Sequence, residues 1–257
     1  MEGIVYKYHG INEFLENLIK DKSIWHSTAD SFNDPFEFKS VLVENENRND
    51  IKSWLNSSSK KLEEDQLNQI TDYWCERKSE MSIMLTEQLS EKLRTGGVSC
   101  FSWRHDNLLM WSHYADNHKG VCLEYNIAYA PTFFKDLLQV KYIDNYPNID
   151  YVKLGSKAIT EIITTKSSHW AYEEEYRSCK RVSGSHLFDI KSLRSIIFGC
   201  RTSEAEILRI INFVKSLGTD YEHINFVKVF PKPNEFGLTF KYLELNNLDQ
   251  EEFPLVK

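Results

Sequence analysis

Residues 169–178, HWAYEEEYRS, set three glutamates among a tryptophan and two tyrosines. If the chain is extended here, Glu173 and Glu175 point to one side and Glu174 to the other. Two carboxylates facing one space can share a proton or hold a hydroxyl for attack, and Arg177 continues their face, where it can pair with an anion. The bland alternative is a solvated run of acids at a helix-to-strand junction. Solvent-facing charge runs are seldom framed by rings such as Trp170, Tyr172 and Tyr176.

Other segments offer binding groups. In YKYHG, His9 ends a strand-like run and can bond a ribose hydroxyl, while Gly10 would let a ligand approach the backbone; a surface histidine before a turn is the plain alternative. In SIWHSTADSFNDPFEF, Ser27 and Thr28 can order a ligand or a neighbouring loop. Asn33-Asp34-Pro35 makes a turn that Phe32 and Phe36 would fold onto the core. In IIFGCRTSEAE, a strand leads through Gly199 into a capped helix start, whose free N–H groups can hold a phosphate. In LLMWSHYADNHKGVCLEY, His113 and His118 lie five apart with Asp116 between them, whereas metal-binding histidines on one helix sit three or four apart. We expect no metal. His113 or Tyr114 can line one wall of a pocket.

Several function classes lose their usual support. No G-x-S-x-G, Walker loop, G-x-G-x-x-G or H-E-x-x-H occurs. The formal charge of −7 argues against strong non-specific binding to nucleic acid. The five cysteines include no C-x-x-C pair, which fits reduced thiols in a cytoplasmic protein. No window reaches the roughly 18 apolar residues of a membrane span. With 41% hydrophobic and 27% charged residues, the chain has the composition of an ordinary folded protein.

The elements that must position these groups follow from periodicity. GIVYKY alternates as a strand, and Ile11, Phe14, Leu15, Leu18 and Ile19 have helical spacing. Residues 44–95 turn polar, with a helix-like apolar stripe through Trp54, Leu55, Leu62, Leu67, Ile70 and Trp74, and predict a helical insertion solvated on one side. VSCFSW is a core strand. Residues 108–117 predict a helix with Gly120 as a left-handed stop, and GVCLEY a strand. A second helical pattern runs through YVKLGSKAITEIITTKSS, and YRSCKRV and SLRSIIFGC are strands. Ser203 with Glu206 makes a capping box for a helix whose stripe is Ile207, Ile210, Ile211, Val214 and Leu217, closed by Gly218. INFVKVF and LTFKYLEL form a terminal hairpin. Strands and helices interleave without a regular βαβ rhythm, so the expected fold is a single α+β domain over residues 1–257. Its sheet is mixed, mostly antiparallel and flanked by helices.

Taken together, SFNDPFE, VSCFSWRHDNLLMWSHYADNHKGVCLEY, WAYEEEYRS and IIFGCRTSEAE resemble, in that order, the bacterial domain-of-unknown-function family 2971, a likeness running from YKYHG to the last helix. More loosely, a strand ending in His-Gly, a strand carrying Ser-Thr and a late strand opening on Glu-x-Glu resemble the ADP-ribosyltransferase superfamily. That resemblance implies NAD as co-substrate and a protein or nucleic acid as target. It places His9 on the ribose and Thr28 in the pocket wall, with Glu175 as the catalytic acid and Glu173 as its partner. Trp25 or Tyr114 would be the stacking aromatic. It requires His9, Ser27, Thr28 and Glu175 to converge on one cleft. A non-catalytic ligand-sensing or interaction module is the alternative, favoured by an exposed apolar arm and no convergent polar pocket. A metal-dependent nuclease using His113 and His118 is the third.

Overall fold

The computed structural model describes residues 3–45, 47–58 and 62–244, so Leu245 of the terminal hairpin and parts of the polar arm lie outside the described residues. Eight strands form one sheet in the order Leu238–Tyr242, Asn225–Pro231, Leu193–Phe198, Val121–Asn126, Ile4–His9, Gly97–Ser102, Glu175–Lys180, Leu137–Gln139. Every neighbouring pair is antiparallel except Leu193–Phe198 with Asn225–Pro231. The helix Glu204–Ser216 joins that parallel pair, the connection parallel strands need. The fold is α+β with a mixed, mostly antiparallel sheet, as the interleaved pattern predicts.

Alternation along the strands builds two cores. Val5, Leu123, Tyr125, Ile196 and Phe198 enter one with Leu15 and Ile19 of the helix Glu13–Lys20 and Ile207 and Ile211 of the long helix. Tyr8, Cys122 and Ile197, one residue out of phase, enter the other with Met110 and Trp111 of the helix Leu108–Tyr114. Residues of the polar arm form the helices Arg48–Ser58, Glu64–Glu76 and Lys78–Thr95. Their apolar faces, with Ile51, Leu55, Leu67, Met81 and Leu85, meet Tyr151, Val152 and Ile162 in a third core. No helix among the described residues is long and apolar enough to cross a membrane.

The long helix starts at the expected cap, though only half of the capping box is seen: Ser203 Oγ accepts from Glu206 N at 3.3 Å, while the Glu206 carboxylate accepts from Ser203 Oγ at 3.2 Å instead of from its backbone N–H, and Gly218 sits at φ +102°. The joint after Tyr114 differs. The helix ends at Tyr114, and three successive residues, Asp116, Asn117 and His118, take left-handed φ of 45°, 53° and 69°. His118 N donates to Trp111 O at 3.1 Å and Gly120 N to Ala115 O at 2.7 Å, closing the helix end without a left-handed glycine. Gly120 is required for another reason: a Cβ there would lie 2.1 Å from His9 O. The aromatic turn is also corrected. Phe32 and Phe38 pack edge to face at 4.8 Å, while Phe36 is 65% exposed.

The sheet has one irregularity. Ile4–His9 pairs with Val121–Asn126 along all six residues but with Gly97–Ser102 only at Tyr6 opposite Ser102. Beyond that point the two strands part, and Val98 exchanges backbone hydrogen bonds with Ser27 instead, at 2.8 and 2.9 Å. Lys7 Nζ reaches across the gap to Ser99 Oγ at 2.9 Å and Cys100 O at 3.1 Å.

We predict that Gly120→Ala lowers stability by about 2–4 kcal/mol through the forced backbone shift. At Gly10 a Cβ would meet nothing closer than Asn12 Nδ2 at 3.5 Å, so Gly10→Ala changes stability by less than about 0.5 kcal/mol. Urea midpoints of the two variants check both.

Candidate functional site

The glutamates of EEE do converge, by a route that strand alternation does not describe. Residues Ser168–Glu173 form a 3-10 helix, Glu174 turns left-handed at φ 43°, and the strand starts only at Glu175. Glu173 and Glu175 nevertheless both meet one cation. Lys166 Nζ donates to Glu173 Oε2 at 2.5 Å and to Glu175 Oε2 at 3.1 Å, and lies 3.2 Å from Glu37 Oε1. Arg177, fully buried, donates to Glu175 Oε1 at 2.8 Å, to Glu37 Oε2, and to Ile163 O at 2.6 Å.

Each member is held by its own element. Asp34 Oδ1 accepts from Phe36 N at 2.9 Å, so the Asn-Asp-Pro turn forms as its chemistry predicts and delivers Glu37 inward. Lys166 sits mid-strand in Thr165–Ser167. Tyr142 Oη accepts from Glu175 N at 2.8 Å, and Ser102 Oγ donates to Glu173 O at 2.6 Å. Tyr114 donates to Glu173 Oε1 at 2.6 Å, which fixes the face of Glu173 that looks into the adjoining cavity.

That cavity, about 150 Å³, has Glu173, Glu175, Glu37 and Lys166 on its polar side and Tyr6, Tyr8, Phe32 and Met110 among its walls. Three carboxylates face two cations, so the cluster carries one negative charge too many when all are ionised. Burial pushes Glu173 up to about 7, against the pull of Lys166 and with the push of Glu175. Burial also opposes ionisation of Glu175, but Arg177 and Lys166 together outweigh it and hold that carboxyl down to about 2. The two neighbouring acids are thus pushed in opposite directions, Glu173 up and Glu175 down, an arrangement suited to separating a proton carrier from a fixed charge.

Of the residues expected to bind or catalyse, Glu173, Glu175, Tyr114 and Arg177 come together here, and His9, Gly10, Ser27 and Thr28 do not. Arg177 is corrected from ligand contact to support, because it is buried beneath the acids and bonded to them. His9 and Ser27 line a different cavity of about 660 Å³, and Thr28, at the N-terminus of a short 3-10 turn, lines neither. The reason is sheet geometry. Glu175 lies opposite Ser102, which lies opposite Tyr6; His9 is three residues further along and on the other face. Two strand spacings and three residues separate their Cα atoms by roughly 14 Å. The single cleft implied by the ADP-ribosyltransferase resemblance is therefore not formed by these residues.

In the turn before the helix Glu204–Ser216, two N–H groups are already used: Arg201 N donates to His118 O and Thr202 N to Gly199 O, while Lys228 Nζ donates to the carbonyls of Gly199 and Thr202. His113 is exposed and bonded to Tyr172 Oη at 3.2 Å, apart from His118, and no group of three or more His, Cys, Asp or Glu among the described residues is arranged to hold a metal ion.

Arg177→Met leaves Glu37 and Glu175 buried beside a single cation and should cost about 3–5 kcal/mol in urea denaturation. The raised Glu173 gives a second expectation. Between its unfolded value near 4.5 and its folded value near 7, the native state binds more protons than the unfolded state, so its contribution to stability falls as pH rises through that window. Glu173→Gln removes this loss, so the variant gains on the wild type between pH 5 and pH 8. Parallel stability curves for the two proteins would contradict it.

No curated protein and no solved structure matches the chain. Residues 110–178 match the family model described as a protein of unknown function (DUF2971). The matched span includes HYADNHKGVCLEY and WAYEEEYRS, and with them Tyr114, Lys166, Glu173, Glu175 and Arg177 of the cluster; SFNDPFE and IIFGCRTSEAE lie outside it. Over residues 110–178, from the buried helix to the strand that carries the acids, the chain is similar to the DUF2971 family that its motifs indicate.

Proposed function

We propose that this protein is an enzyme in which Glu173 moves a proton and Glu175 stabilises positive charge developing on a ring-bearing substrate. The observation that carries this reading is a buried pair of carboxyls in unlike surroundings, Glu173 pushed up by burial and Glu175 held down by Arg177 and Lys166, both lining a small cavity with aromatic walls. A group whose pKa matches the working pH is the most effective general base. The Glu175 carboxylate and the aromatic lining of Tyr6, Tyr8 and Phe32 favour a cationic transition state over a neutral ground state. The cavity has room for one ring of sugar or nicotinamide size, not for a whole dinucleotide.

Cleavage of an N-glycosidic bond fits these features, and the nicotinamide–ribose bond of NAD is the first such substrate to test. Nicotinamide leaves with the bonding pair, the ribose carbon gains oxocarbenium character opposite Glu175, and Glu173 takes the proton of the attacking water or target hydroxyl. A convergent polar cavity supports this reading over a purely structural interaction module.

The test is nicotinamide release from NAD, alone and with cell extract as a source of target. The rate should rise with pH to a plateau with a midpoint near 7. Glu173→Gln should lower it by roughly 10²- to 10⁴-fold and abolish the pH dependence, and Tyr114→Phe should shift the midpoint. No release by the wild type under any of these conditions, or equal rates for wild type and Glu173→Gln, would overturn the NAD assignment.

A further inference from the structure

The second cavity, on the opposite face of the sheet from Glu173, has features of its own. Its charged lining groups are Lys7 and Asp21; the rest includes His9, Asn12 and Ser27, with Phe14 and Trp25 at the rim. Both rings are left to solvent, Phe14 67% and Trp25 63% exposed, although each is large enough to be worth burying. Phe14 comes from the helix Glu13–Lys20 and Trp25 from the strand Ser23–His26, so two independent elements present aromatic faces to one hollow.

Lys7 is the unusual group. It lines this cavity and the Glu173 cavity alike, because it stands where the strands Ile4–His9 and Gly97–Ser102 part. Its ammonium donates to a serine hydroxyl and a backbone carbonyl and sits 5.2 Å above the Phe101 ring; among the described residues no carboxylate lies within 4 Å of it. Burial lowers the pKa of this ammonium against the opposing pull of Cys100 and Glu175, and with two acceptors met it keeps donor capacity for a further one. Burial, and secondarily Lys7, pushes the neighbouring His9 down to about 3, so its imidazole is neutral at physiological pH and serves as a donor or acceptor without charge.

We propose that this cavity is a binding site for an anion carried on a planar, hydroxyl-bearing molecule, such as a nucleoside monophosphate. The phosphate meets Lys7 at the strand gap, the hydroxyls meet His9, Asn12 and Ser27, and the ring packs against Trp25. The site is separate from the chemistry assigned to Glu173 and stands without it.

Isothermal titration with AMP, adenosine and inorganic phosphate tests this. The wild type should bind AMP saturably and more tightly than adenosine. Lys7→Met should weaken AMP by about tenfold or more while leaving adenosine within about twofold, as loss of a charge-assisted contact requires. Trp25→Ala alters an exposed side chain, leaves the fold intact, and should weaken AMP and adenosine together, which keeps the test decisive if Lys7→Met fails to fold. Glu173→Gln should bind AMP like the wild type, which separates failure of this site from failure of the proposed reaction. No saturable AMP binding by the wild type, AMP affinity unchanged in folded Lys7→Met, or affinity unchanged in Trp25→Ala would overturn the proposal.

Discussion

Five charged side chains, Glu37, Lys166, Glu173, Glu175 and Arg177, are packed together out of water at one end of the sheet, and the surrounding structure is arranged to keep them there. Removing that many charges from solvent is unfavourable unless each finds a partner, and such clusters seldom stabilise a fold more than well-packed apolar residues would. Arg177 answers the need for two of the acids and Lys166 is shared by three. What remains is one acid in excess, and Glu173 carries the consequence as a proton affinity near neutrality. The cluster also ties the structure together: Glu37 comes from the turn leading into the helical arm, Lys166 from the short strand after the helix Lys157–Ile163, and the other three from the late strand and the turn before it.

The same end of the sheet is where its regular pairing stops. Had Ile4–His9 and Gly97–Ser102 paired throughout, Cys100 O would bond to backbone and Lys7 would have no gap to enter. Instead the Lys7 side chain supplies the missing donor, and Ser27 completes the pairing of Val98. A break in a ladder leaves polar groups that must be met by something other than the next strand. Here it also opens a hollow on each face, with a cation between them.

Much of the scaffold is legible in the sequence because it rests on local rules. The capping of the helix Glu204–Ser216 and the apolar stripe of the arm depend on residues close in sequence, and both are found as periodicity and cap chemistry predict. The joint after Tyr114 misleads because glycine at a helix end suggests a left-handed stop. Gly120 instead answers to His9 O, a neighbour across the sheet that no local rule reveals. For the site, the aromatic framing of EEE points to the correct acids, although a left-handed Glu174, rather than simple alternation, aims them. Glu37 and Lys166 give no such signal: Glu37 meets Arg177 across 140 residues of chain, and Lys166 reads as the polar tail of a helix. His9 and Glu175 look alike in sequence because both end or begin strands, and only the order and phase of the strands place them on opposite faces.

The chemistry assigned to the cluster requires Glu173 to be the group that titrates near neutrality. Isotope-edited infrared or ¹³C NMR titration of glutamate-labelled protein, with Glu173→Gln to assign the signal, measures this directly. One side-chain carboxyl should show a midpoint near 7 and disappear in the variant, while Glu175 stays ionised down to about pH 2. A Glu173 signal titrating at or below the ordinary carboxylate range would contradict that assignment.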